Sequence, residues 1–177
     1  RVYFGSLPYD VTDIMSPPVG TNLLPCTGYS DYSVGNTNNG DGNVTGLEYF
    51  TGVLRNETYD LEIEGGFCDS NPSIFNANRA IKVYIDYDAS GTFETTELVY
   101  TSPYYDVIAP VINTTITIPN TAAIGSIKMR IVYNRVGAFT ALWQAGAINW
   151  AVNNFQYGET EDYTLVVIGY VDSVQSI

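Results

Sequence analysis

The densest run of oxygen-bearing side chains in this sequence is Asp86-Tyr87-Asp88-Ala89-Ser90-Gly91-Thr92-Phe93-Glu94-Thr95-Thr96-Glu97. Asp86, Asp88 and Ser90 fall at its first, third and fifth positions, and Gly91 follows where the chain must turn sharply. Thr92 can offer its backbone carbonyl, Glu94 stands ninth, and Glu97 at the end can close bidentately. That spacing offers a hard cation such as calcium an oxygen shell from one contiguous loop. The same residues also suit an ordinary acidic hairpin loop with glycine in a left-handed conformation. Serine at the fifth position replaces the more usual Asp or Asn. Without a cation, carboxylates this close repel one another, so raised pKa values are expected there.

A second acidic cluster, Glu159, Glu161 and Asp162, precedes an apolar run toward the end of the chain. Strand alternation sends Glu159 and Glu161 to one side, and Thr160 and Asp162 to the other. Capping of turn amides or pairing with Arg130 or Arg135 is one expected role. Contribution to a cation site is the other. The segment Gly137 to Tyr157 is long and apolar and holds Phe139, Trp143, Trp150 and Phe155. A short helix would set the two tryptophans on one face. The insertion either folds back to bury its rings or presents them as a sugar- or partner-binding loop.

Composition removes whole classes of chemistry. The chain has no histidine, which excludes imidazole-based hydrolysis and His-based zinc sites. Its 19 acidic residues against 7 basic ones argue against nucleic acid and against an anionic membrane surface. No apolar run approaches the roughly 18 residues needed to span a bilayer, so membrane insertion is not expected. Cys26 and Cys68 lack a C-x-x-C spacing and are read as a disulfide of an exported protein. Closing that loop would stabilise by about 4 kcal/mol on a chain-entropy model.

The elements that position these residues read as strands. Tyr59 to Glu64 alternates Tyr59, Leu61 and Ile63 against three carboxylates. Ala80 to Asp86 places Ile81, Val83 and Ile85 inward, with Lys82 and Tyr84 outward. Glu97 to Ser102, Thr114 to Pro119 and Ile127 to Tyr133 continue the pattern, the last with Lys128 and Arg130 on its polar face. Tyr163 to Val171 is apolar enough for a central strand. The first ~55 residues are less regular, with short strands expected at Val2 to Phe4 and Asp10 to Ile14 and a polar loop from Gly35 to Gly42. Short strands, Gly/Asn/Pro turns and no convincing helical period predict an all-β antiparallel sandwich, jelly-roll or Ig-like, with a long aromatic loop insertion. With 177 residues and no internal boundary, 1–177 reads as a single module. Its start at Arg1 suggests a processed chain or a domain cut from a longer secreted or cell-surface protein.

Gly158-Glu159-Thr160-Glu161-Asp162-Tyr163 resembles the signature of the GEVED family of secreted bacterial modules, with Thr160 in place of Val. Val83 to Phe93 resembles that family's strand and Asp-rich turn, Ile118 to Val132 its IP…G…MRI stretch, and Gly28 to Tyr32 its GYSDYT segment. Together they span residues 26 to 168 in the family's order. The resemblance implies a β-sandwich module of exported and surface proteins in Bacteroidetes-type bacteria, often adhesins or appendages to secreted enzymes, and it implies no reaction. The long aromatic insertion departs from the family's compact form.

The function expected is therefore a non-catalytic module of a surface adhesin or secreted protein, stabilised by calcium and a disulfide. Its partners would be neighbouring domains of the same chain, cell-surface glycans or another surface protein. Carbohydrate binding through Phe139, Trp143 and Trp150, with Asn153, Asn154 and Gln156 bonding hydroxyls, is the alternative. A two-carboxylate glycosidase is the remaining reading, and it lacks a recognisable catalytic motif.

Overall fold

The computed structural model of the chain describes residues 2–5, 14–15, 29–31, 50–64, 79–103, 111–135 and 158–169. Ten strands run through them: β1 (Val2–Gly5), β2 (Ile14–Met15), β3 (Tyr29–Asp31), β4 (Phe50–Leu54), β5 (Thr58–Glu64), β6 (Arg79–Ile85), β7 (Leu98–Thr101), β8 (Val111–Thr117), β9 (Gly125–Arg135) and β10 (Gly158–Ile168). Among the described residues the only helical turn is a 3-10 turn at Thr95–Glu97. One sheet runs β2-β1-β5-β8. The other runs β3-β10-β9-β6-β7, with β4 also on β10. The expected all-β sandwich is what forms.

The core follows from two-residue alternation. Tyr59, Leu61 and Ile63 of β5 and Ile112 and Ile116 of β8 face Ile81, Val83 and Ile85 of β6. Ile127, Met129 and Ile131 of β9, with Tyr163, Leu165 and Val167 of β10, complete the second layer. Each such side chain removed from water contributes about 1.5–3 kcal/mol before chain entropy is subtracted. The turn between β4 and β5 carries the chain from one sheet to the other. Asn56 there has φ 65°, a conformation asparagine tolerates. Arg55 ties the turn down by donating from Nε to the Ala122 carbonyl at 2.8 Å.

Two departures from the expected pattern matter below. The second sheet is mixed, because β3 and β4 both lie parallel to β10 along one of its edges. Neither strand is legible as a period. β3 is three residues long, and β4 inverts the usual pattern by burying Thr51 and Val53 while exposing Phe50 and Leu54. The other departure concerns Lys82 and Tyr84, which do face away from the core but are not solvated. Each is only 1% exposed, so the outer face of β6 is covered as well. Burial there disfavours the charged ammonium and lowers the pKa of Lys82.

Candidate metal centre and the signature strand

The acidic loop leaves the end of β6 and returns through the 3-10 turn to β7. Its first and last carboxylates fold it. The Ser90 and Gly91 amides donate to the two oxygens of Asp86 at 2.9 Å each, and Ser90 also donates to Asp88 at 3.0 Å. Glu97 accepts from the Tyr87 amide at 2.7 Å and the Glu94 amide at 3.1 Å. Gly91 sits at φ 81° as the turn requires, and Ala89 adopts φ 57°, which costs a non-glycine residue on the order of 1 kcal/mol.

Asp86, Asp88 and Glu97 converge, each bringing a carboxylate oxygen within 4.8 Å of the others. Asp86 and Glu97 are buried while Asp88 is exposed. Glu94 does not join them. Its carboxylate is exposed and accepts the Thr92 hydroxyl. The Ser90 hydroxyl bonds Thr92, lying 3.0 Å from its hydroxyl and 3.3 Å from its carbonyl oxygen. Burial raises the pKa of Asp86 and of Glu97, with mutual repulsion a lesser cause. Asp88 and Glu94 move the other way. Hydrogen bonds from Ser90 hold Asp88 down, and the bond from Thr92 does the same for Glu94. A general rise from like-charge repulsion is therefore not what the loop shows, because local amides and hydroxyls outweigh repulsion at its exposed side.

The signature residues lie inside β10 rather than ahead of it. Asp162 is fully buried and holds Arg130 of β9 in a bidentate pair, Nε to Oδ1 and Nη2 to Oδ2, both at 2.6 Å. The register that sets Asp162 opposite Arg130 also sets Tyr84 opposite Arg130 on the far side. Phe93, projected from the acidic loop, covers this row. The Arg130 guanidinium carbon lies 4.7 Å from its ring centroid, and Tyr84 meets it edge-on at 6.3 Å. No spacing in the loop marks Phe93. A lone aromatic inside an acidic turn is the signal that a buried seat awaits it.

Glu161 points to the opposite face from Asp162 and accepts the Tyr163 hydroxyl at 2.9 Å, both groups being buried. Desolvation raises its pKa, while the Tyr163 hydrogen bond opposes the rise. A raised folded-state value means stability present below the unfolded carboxylate value of about 4.3 and lost as pH climbs through the folded one. Glu161→Gln should therefore be more stable than the parent at neutral pH, and its denaturation midpoint should lack that decline. Parallel pH profiles for the two proteins would contradict this.

The order of these features along the chain is strand, acidic turn, Arg130 strand and signature strand. Residues 80–166 match the family model of the GEVED domain. The chain carries a GEVED domain. The matched stretch takes in the acidic loop, Arg130 and the signature, and it begins downstream of Gly28 to Tyr32. Within the structure, however, Tyr29–Asp31 pairs with Thr160–Asp162, so that upstream segment abuts the GEVED signature itself. No curated protein matches the chain. The remaining expected sites, Phe139, Trp143, Trp150 and Phe155 and the cysteines Cys26 and Cys68, lie outside the described residues. Gly158 and Glu159 belong to β10 by backbone alone.

Proposed function

We propose that this GEVED domain serves as a non-catalytic extracellular module of a bacterial surface adhesin or secreted protein, with a calcium ion held by Asp86, Asp88 and Glu97. The convergence of those three carboxylates carries the reading. Among the described residues no cationic side chain pairs with Asp86, Asp88 or Glu97. Each converging carboxylate accepts a backbone amide yet keeps lone pairs for an ion. Carboxylates fixed this way by amides suit holding a hard cation better than exchanging protons with a substrate.

Thermal unfolding in calcium and in excess chelator tests it, on the parent, on Asp88→Asn and on Asp86→Ala/Asp88→Ala. Ligand linkage predicts about 2.7 kcal/mol at a hundredfold excess over the dissociation constant, or roughly 5–10 °C for a chain of this size. Both variants should lose most of that rise. In chelator, the raised values of Asp86 and Glu97 make stability fall as pH rises above the ordinary carboxylate range, and calcium should suppress that fall. An unchanged midpoint in millimolar calcium would reduce the loop to a plain acidic turn.

A further inference from the structure

Among the described residues β8 is the last strand of the first sheet. The Ile118 amide donates to the Glu57 carbonyl at 2.9 Å, which sets the parity of the β5–β8 ladder. Antiparallel alternation then turns the main-chain groups of Ile112, Thr114 and Ile116 toward β5, and those of Val111, Asn113, Thr115 and Thr117 away from it. The Tyr87 hydroxyl agrees with this parity by donating to the outward Thr117 carbonyl at 3.3 Å. Among the described residues no strand pairs that edge of β8.

Within β8 itself the charges, prolines and bulges that protect an edge are absent. The seven residues of β8, VINTTIT, contain no charge and no proline, and their register with β5 is unbroken from Thr58↔Thr117 to Glu64↔Val111. Beside the edge runs an open cleft of about 480 Å³ between the two sheets, with Tyr87, Val99, Ile116 and Pro119 supplying an apolar wall. That wall would receive the core-side residues of an added strand. Its other side chains would lie beside Asn113 and Thr115, next to the outer face where β5 carries Asp60, Glu62 and Glu64. Two strand spacings, roughly 10 Å, separate that position from the carboxylates, a gap a lysine side chain narrows. A second copy of the chain, at net charge -12, brings more negative charge to this face.

We infer that the β8 edge captures an extended segment of another protein by strand addition, and that the captured segment alternates apolar residues with Lys or Arg. The probe is a synthetic peptide alternating Val with Lys, compared with its Val/Glu counterpart, titrated while backbone amides are followed by NMR. The Val/Lys peptide should shift and protect the amides of Asn113 and Thr115, bind at least tenfold more tightly than the Val/Glu peptide, and weaken as salt rises. Thr115→Pro removes an outward amide without touching the β5 ladder and should weaken binding about tenfold with the fold intact. Asp60→Asn/Glu62→Gln should abolish the preference for Lys while leaving the edge open. Unmoved Asn113 and Thr115 amides, or undiminished binding by a folded Thr115→Pro, would overturn the inference. So would equal binding of the two peptides. Self-association that Thr115→Pro reverses would assign the edge to a second copy instead.

Discussion

Asp162→Ala should destabilise the domain by about 3–5 kcal/mol, because it removes the bidentate carboxylate from the largely buried Arg130 guanidinium that packs against Phe93. The pair is almost sealed, at 19% exposure for the Arg130 side chain and none for Asp162. Removing one buried partner exposes the full desolvation cost of the other, which is why the loss exceeds that of a surface bridge. For a chain of this length the midpoint should fall by on the order of 10 °C. Burial also keeps the loss nearly independent of salt. The double variant Arg130→Met/Asp162→Leu should recover part of the stability lost in Asp162→Ala, since it removes both charges of the pair together. Replacement of half-buried Glu62 by Ala should cost within about 0.5 kcal/mol and serves as the surface comparison. Chemical denaturation of the four proteins decides the matter, and a loss below 1 kcal/mol for Asp162→Ala would show that the pair is solvated.

Phe93→Ala should be nearly as costly, about 3–5 kcal/mol from the truncation of a buried ring. Part of that cost is not area. The ring lies over the guanidinium, so its removal takes away a cation–π contact and lets water reach the Arg130–Asp162 pair. Phe93→Leu keeps the apolar cover and loses the π face, and should therefore cost distinctly less. A double-mutant cycle between Phe93→Ala and Asp162→Ala should give a coupling of 0.5–3 kcal/mol, since the two groups share Arg130. Additive losses would mean that Phe93 only fills space beneath its loop. A measurable coupling would tie the acidic turn to the GEVED signature, which lies far along the chain from it.

That tie explains which parts of the site could be read from residue order. Asp86, Asp88 and Glu97 sit in one short loop, so spacing alone brought them into reach of one another. Glu94 belongs to the same spacing, yet Thr92 claims its carboxylate locally, a competition that position counting does not weigh. Pairing of the acidic cluster Glu159, Glu161 and Asp162 with Arg130 or Arg135 is one of the alternatives that the residue types offer, and the structure selects Asp162 with Arg130. Glu161 was expected to act with it, but strand alternation puts it on the core side, where the Tyr163 hydroxyl is its recorded partner.

The amino-acid sequence by itself determined the strand content, the inward set of the long strands, the acidic loop and the family. All of these rest on period-two alternation or on contiguous spacing, which are local properties of the chain. Only the tertiary structure decided that β3 and β4 lie parallel to β10, that Lys82 and Tyr84 are buried on an outwardly polar face, and that Phe93 caps Arg130. It also left β8 as an unpaired edge among the described residues. These depend on which elements meet across the sandwich. Burial of a polar face is a property of what covers it, and no periodicity within the strand records the cover.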